Sequence, residues 1–136
     1  MSSQIHDDAT RLEDVSQLVA YMLAGAKPPE RWVVGTEHEK IGWLPDAGRY
    51  PTWAGPRGIS ALLEGLAAEA GWRPTREGAD IIALARDRAT ITLEPGGQLE
   101  LSGAPFRSVL ETEAELDAHF EEIRRFSGPL GIEWSG

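Results

Sequence analysis

Apolar residues recur at helical spacing near the start of the chain, at Leu12, Val15, Leu18, Val19, Met22 and Leu23. Such a stripe predicts an amphipathic helix over 11–23. Thr10 and Glu13 match a capping box at its start, and Gly25 with Pro28-Pro29 ends it. Residues 31–44 then read as an extended strand. The stretch 45–58, broken by Pro45, Pro51 and Pro56, reads as loop. Ile59, Leu62, Leu63, Leu66, Ala67 and Ala70 form a second helical stripe that stops at Gly71. Two strands follow over 80–86 and 89–94, joined by a tight turn at Asp87-Arg88, and 98–102 is a third. Ser108 with Glu111 predicts the start of a last helix whose apolar stripe is Val109, Leu116, Phe120 and Ile123. Residues 131–134 read as the opening of another strand.

The predicted order is helix, strand, helix, three-strand meander, helix. Hairpins rather than strand–helix–strand crossovers dominate its middle, so the fold class is α+β: an antiparallel sheet with helices packed on one face. The 136 residues suffice for a single domain with a core, with residues 1–10 expected to be disordered. Since a domain rarely stops on a strand barely begun, the chain is expected to be the N-terminal part of something larger. An unpaired apolar edge would make it prone to self-association.

Composition narrows the function classes. No run of apolar residues is long enough to span a bilayer, and the N-terminus lacks the basic-then-apolar order of a signal peptide. The chain has no cysteine, which excludes disulfides and thiolate metal sites and suggests a cytoplasmic protein. A net charge of −9 argues against nucleic acid as a partner. Much of that charge sits at Glu111, Glu113, Glu115, Asp117, Glu121 and Glu122, where a solvated helix face explains it.

Chemistry concentrates in two segments that place acids inside strand-like, otherwise apolar runs. Glu37 and Glu39 point to one face of their strand, about 7 Å apart, while Thr36, His38 and Lys40 point to the other. Val33, Gly35, Ile41 and Trp43 share the acidic face, which does not describe a wetted surface. In the second segment the register decides the faces. A two-residue loop at Pro95-Gly96 would mix polar and apolar side chains on both sides. A three-residue loop, Pro95-Gly96-Gly97, pairs Glu94 with Gln98, Thr92 with Glu100, Leu93 with Leu99 and Ile91 with Leu101. Only this second register separates the faces, and burial specifies register strongly. Glycine at position 97 suits the left-handed residue that closes such loops.

Thr92, Glu94, Gln98, Glu100 and Ser102 thus share one face. If it continues the Glu37/Glu39 face, four carboxylates converge and need a cation. Oxygen ligands without Cys or His favour Mg²⁺ or Mn²⁺ over zinc. His38 faces away, in a packing and hydrogen-bonding role; His119 falls on the acidic helix. Trp43, Trp53 and Trp72 read as core or loop anchors. Gly96-Gly97 lacks the lysine and hydroxyl of a phosphate-binding P-loop.

These residues resemble a known family. Gly35-Thr36-Glu37-His38-Glu39-Lys40-Ile41-Gly42, Tyr50 with Gly55-Pro56-Arg57-Gly58-Ile59, Glu77-Gly78-Ala79-Asp80-Ile81-Ile82, and above all LEPGGQLELSGAP over 93–105 are similar to glutamate–cysteine ligases of the plant and proteobacterial type. The family usually has Phe at the place of Leu99. The resemblance implies a glutamine-synthetase-like catalytic fold whose acidic sheet face binds Mg²⁺ and ATP. It implies phosphorylation of the side-chain carboxylate of L-glutamate, then displacement by the L-cysteine amine to give γ-glutamylcysteine, the first step of glutathione synthesis. It also implies Glu37, Glu39, Glu94 and Glu100 as the metal ligands. Family members are much longer than this chain, and the match covers their N-terminal part. Arg57, Arg86, Arg88 and Lys40 receive no assignment. Two other readings stay open: a sister carboxylate–amine ligase with another amine acceptor, and a non-catalytic metal- or nucleotide-binding half-module or partner subunit.

Overall fold

The computed structural model describes residues 11–136. Contacts divide them into two units, one up to Trp32 and one from Val33 onward. In the first, helix α1 spans Val15–Ala24. Its cap is a capping box on Asp14, whose carboxylate accepts from the Ser16 N–H while the Gln17 side chain accepts from the Asp14 N–H. This corrects the start expected at Thr10/Glu13: Asp14 and Gln17 satisfy the first free N–H groups, and the helix begins four residues after the expected start at 11. Thr10, and with it the expected disorder of 1–10, lies outside the described residues. Gly25 caps the other end, and Pro28 leads into a 3₁₀ turn at Pro29–Arg31.

The second unit holds strand β1 (Glu37–Trp43), helix α2 (Ile59–Glu69), strands β2 (Arg73–Glu77), β3 (Asp80–Arg86), β4 (Ala89–Glu94) and β5 (Gln98–Ser102), helix α3 (Val109–Ser127) and strand β6 (Glu133–Ser135). The strands form one sheet in the order β2-β3-β4-β5-β1-β6, with every neighbouring pair antiparallel. The α+β class holds.

Strands β3, β4 and β5 have the expected limits, and the β4–β5 register is the one that separates the faces: Leu93 opposite Leu99, Thr92 opposite Glu100 and Glu94 opposite Gln98. Gly96 and Gly97 both adopt positive φ, 95° and 83°, which L side chains rarely do. β1 is shorter than expected. Residues before Glu37 hold the sheet only through a bridge from Val34 to Phe106, and Gly103 N–H donates to Thr36 O.

Strand β2 was not expected. Its five residues are all exposed and include Pro74, so no alternation marks it; it forms a charged sheet edge. The β2–β3 pairing skips Ile82, a bulge that turns both Ile81 and Leu84 into the core and leaves Ile82 exposed.

Helices α2 and α3 cover one face of this sheet. Ile59, Leu62, Leu63 and Leu66 of α2 and Ile123 of α3 pack with Ile81, Leu84, Ile91, Leu99 and Leu101 in one cluster. Each such side chain stabilises the fold by about 1.5–3 kcal/mol. Ser108 caps α3 by accepting from the Leu110 N–H. Val109, expected in the apolar stripe of α3, is exposed because it lies in the first turn, before the helix meets the core. Trp72 is buried, donates to Glu122 and lies beneath the Arg86 guanidinium.

Candidate functional site

The face opposite the helices carries the acids. Antiparallel partners share a face, so the rung Glu39–Glu100–Thr92 lies beside the rung Glu37–Ser102–Thr90, with the Glu94–Gln98 pair on the other side. Glu37, Glu39, Glu94 and Glu100 therefore stand on one side of three adjacent strands.

Their surroundings differ. Glu37 and Glu39 are exposed, and Gln98 Nε2 donates to Glu39 Oε2 at 2.6 Å. Glu100 is buried, with the Ser102 hydroxyl donating to it at 2.7 Å. That hydroxyl, seconded by Glu94, holds the Glu100 carboxyl below the usual range. Glu94 moves the other way, raised by its hydrogen bond to Glu100 and by desolvation. The two acids pull each other's titration apart, Glu94 upward and Glu100 downward. Among the described residues, no three His, Asp or Glu side chains are gathered closely enough to hold an ion.

Ile41 and Trp43 continue this face along β1 and do not mark a buried surface, as their company with the acids had suggested. They are 44% and 38% exposed, because both helices lie on the other side. Trp43 meets Tyr50 edge-on at 5.2 Å, and Tyr50 is itself exposed.

The opposite side of β1 holds a group that sequence reasoning left unassigned. Lys40 is buried, and its ammonium donates to Leu99 O at 3.3 Å and lies 2.8 Å from Nε2 of His119, also buried. Burial lowers the Lys40 pKa to about 8, against the attraction of Glu100 across the strand. Burial, then Lys40, lowers His119 to about 3, so its ring is neutral and Nε2 accepts. The signal was there: His119 sits between Leu116 and Ile123 at the spacing of the buried stripe. His38 packs edge-on against Phe120 at 4.9 Å, the expected packing role, but its buried Nδ1 has no hydrogen-bond partner among the described residues.

The arginines point elsewhere. Arg57 pairs with Asp46 and donates to Leu130 O, Arg86 pairs with Glu122, and Arg88 reaches Pro105 O. Each ties the framework together.

The GTEHEK and LEPGGQLELSG segments that build this acidic face both fall inside the stretch matched by a known family. The model of glutamate–cysteine ligase family 2 matches residues 33–136. The chain belongs to this family. It is 40% identical over 119 residues to the chloroplastic glutamate–cysteine ligase of Nicotiana tabacum, covering 88% of this chain and 22% of that protein. Glutamate–cysteine ligase A of Oryza sativa subsp. japonica is 40% identical, over 88% of this chain and 24% of its own length. The Arabidopsis thaliana enzyme is 37% identical, over 88% and 22%. The chain thus spans less than a quarter of the length of these relatives.

The relatives also correct the expected cytoplasmic location, since those named are chloroplastic proteins. Absence of cysteine speaks to redox chemistry and cannot separate one reducing compartment from another.

Proposed function

We propose that this chain forms part of an enzyme that joins the side-chain carboxylate of L-glutamate to the amine of L-cysteine, giving γ-glutamylcysteine. ATP would phosphorylate the carboxylate, and the cysteine amine would displace phosphate from the resulting acyl phosphate as the amide bond forms. The observation that carries this reading is the acidic face: Glu37, Glu39, Glu94 and Glu100 in register on one open side of the sheet, in a chain of this family.

The donor set suits Mg²⁺ or Mn²⁺. All its ligands are carboxylate oxygens, the preference of hard cations. Glu94 and Glu100 act on each other's titration, Glu94 upward and Glu100 downward, as neighbouring carboxylates do, and a divalent cation would relieve their repulsion. Glu37, Glu39, Glu94 and Glu100 would hold the ion. The metal would supply neutralisation of phosphate charge and polarisation of the acceptor carboxylate. The chain's own polar groups prepare the site. Ser102 donates to Glu100 and so favours its charged form, and Gln98 orients Glu39.

Titration with Mn²⁺ tests the ligand set. Glu94→Gln and Glu100→Gln are each expected to weaken Mn²⁺ binding by about tenfold or more with folding retained; unchanged titrations would sink the four-carboxylate site. For the reaction, the protein supplied with Mg²⁺, ATP, L-glutamate and L-cysteine should release ADP together with γ-glutamylcysteine, read by mass. ADP released with a different amide would name another amine acceptor.

A further inference from the structure

The open face carries Glu37, Glu39, Glu94 and Glu100 towards one end and exposed aromatic rings, with Glu133 opposite Trp43, at the other. Glu37, Glu39, Ile41 and Trp43 follow one another on the same side of β1. Trp43 is 38% exposed and Tyr50, edge-on to it, is 63% exposed, although large aromatics gain most from burial. The next residue, Leu44, lies just past the end of β1 and is buried, so the exposure of Trp43 follows from the face it occupies. From Glu39 to Trp43 the strand advances about 13 Å. That is comparable to the reach of an extended nucleoside triphosphate from its terminal phosphate to its base.

We infer that Trp43, with Tyr50 beside it, is the platform for the purine base of the nucleotide whose phosphates meet the carboxylate end of the same sheet face. This rests on the metal–nucleotide reading above and adds a residue for the base. An aromatic face suits a base because stacking needs no hydrogen-bond match, and removing such a ring costs about 1–3 kcal/mol per base, or roughly 5- to 150-fold in affinity. One acid shares the aromatic end: Glu133 of β6 is exposed and stands opposite Trp43.

The test compares two probes on the intact protein without glutamate or cysteine: Mg²⁺–ATP and Mg²⁺–tripolyphosphate, which has the phosphates and no base. In Trp43→Leu, the dissociation constant for ATP should rise about tenfold, while that for tripolyphosphate stays within about twofold. Trp43→Phe, which keeps a ring, should restore most of the ATP affinity. Because Trp43 is exposed, these variants are expected to fold, and their melting temperatures check it. Unchanged ATP binding in Trp43→Leu would overturn the platform, and altered self-association instead would assign Trp43 to a protein contact. Equal weakening of both probes would also overturn it, since Trp43 would then be acting on the phosphate end. If neither probe binds the wild-type protein, the metal–nucleotide reading fails and takes the platform with it. If both bind wild type and lose affinity in Glu100→Gln while Trp43→Leu changes nothing, that reading stands and only the platform falls.

Discussion

The two sides of β1 accommodate charge in opposite ways. On the open side, Glu37 and Glu39 keep their water, and a neighbouring amide from Gln98 suffices to orient one of them. On the covered side, Lys40 has lost its water, and it has no carboxylate partner: the ion pairs among the described residues involve Arg57, Arg76 and Arg86. A backbone carbonyl and a neutral imidazole replace the solvent instead. A buried charge without such acceptors would be lost to proton transfer or would unfold its surroundings. The open side therefore leaves Glu37 and Glu39 exposed to ligands, while the covered side spends its polar groups on holding the sheet.

The sharpest way to break that contrast is to delete the same kind of side chain from each side. Leu84→Ala, behind the sheet, should cost about 3 kcal/mol of unfolding free energy in urea. Ile41→Ala, on the open side, should cost well under about 1 kcal/mol. Comparable losses would mean that the open side is covered after all. Next in size is the Lys40 acceptor. His119→Leu leaves the ammonium one partner short and should cost about 2 kcal/mol, whereas His119→Gln, whose carbonyl can still accept, should cost less than half of that. Equal losses would mean that the ring contributes packing and not hydrogen bonding.

The smallest effect is a slope. His119 is held neutral, with its pKa lowered from 6.5 to about 3, so the unfolded chain binds the extra proton between those values. Its contribution to stability is complete above pH 6.5 and is lost as the pH falls towards 3, by up to about 1.4 kcal/mol per unit. Between pH 6.5 and 5.5, wild-type unfolding free energy should drop by about 1 kcal/mol more than that of His119→Gln. Parallel pH profiles would contradict a neutral, buried imidazole.

What could be read in the sequence follows the same division. The limits of strands β3 to β5 were legible because turn residues bound each, and the β4–β5 register because only one loop length sorts Leu99 and Leu101 from Glu100 and Ser102. That the β1 and β5 acids share one side stood in the sequence only as a condition; the pairing of β1 with β5 comes from the fold. β2 was not, since Arg73, Thr75, Arg76 and Glu77 have no buried side to alternate with, and Pro74 argues against a strand. Its place is set by β3 and the bulge at Ile82, which only the fold reveals. The Lys40–His119 contact joins residues 79 positions apart. Periodicity can place each of them on a buried side, but nothing in a single chain says that the two meet.

The loop Pro95-Gly96-Gly97 carries a consequence for variation. Most surface turns tolerate a residue gained or lost, because the strands they join keep their partners. Here the count itself is the message. Removing one residue would slide β5 by a step, send Glu100 and Ser102 under the helices, and bring Leu99 and Leu101 out among the acids. Point substitutions at position 95 should therefore be forgiven far more readily than a change of length, which in this hairpin amounts to exchanging the inside of the protein for its working surface.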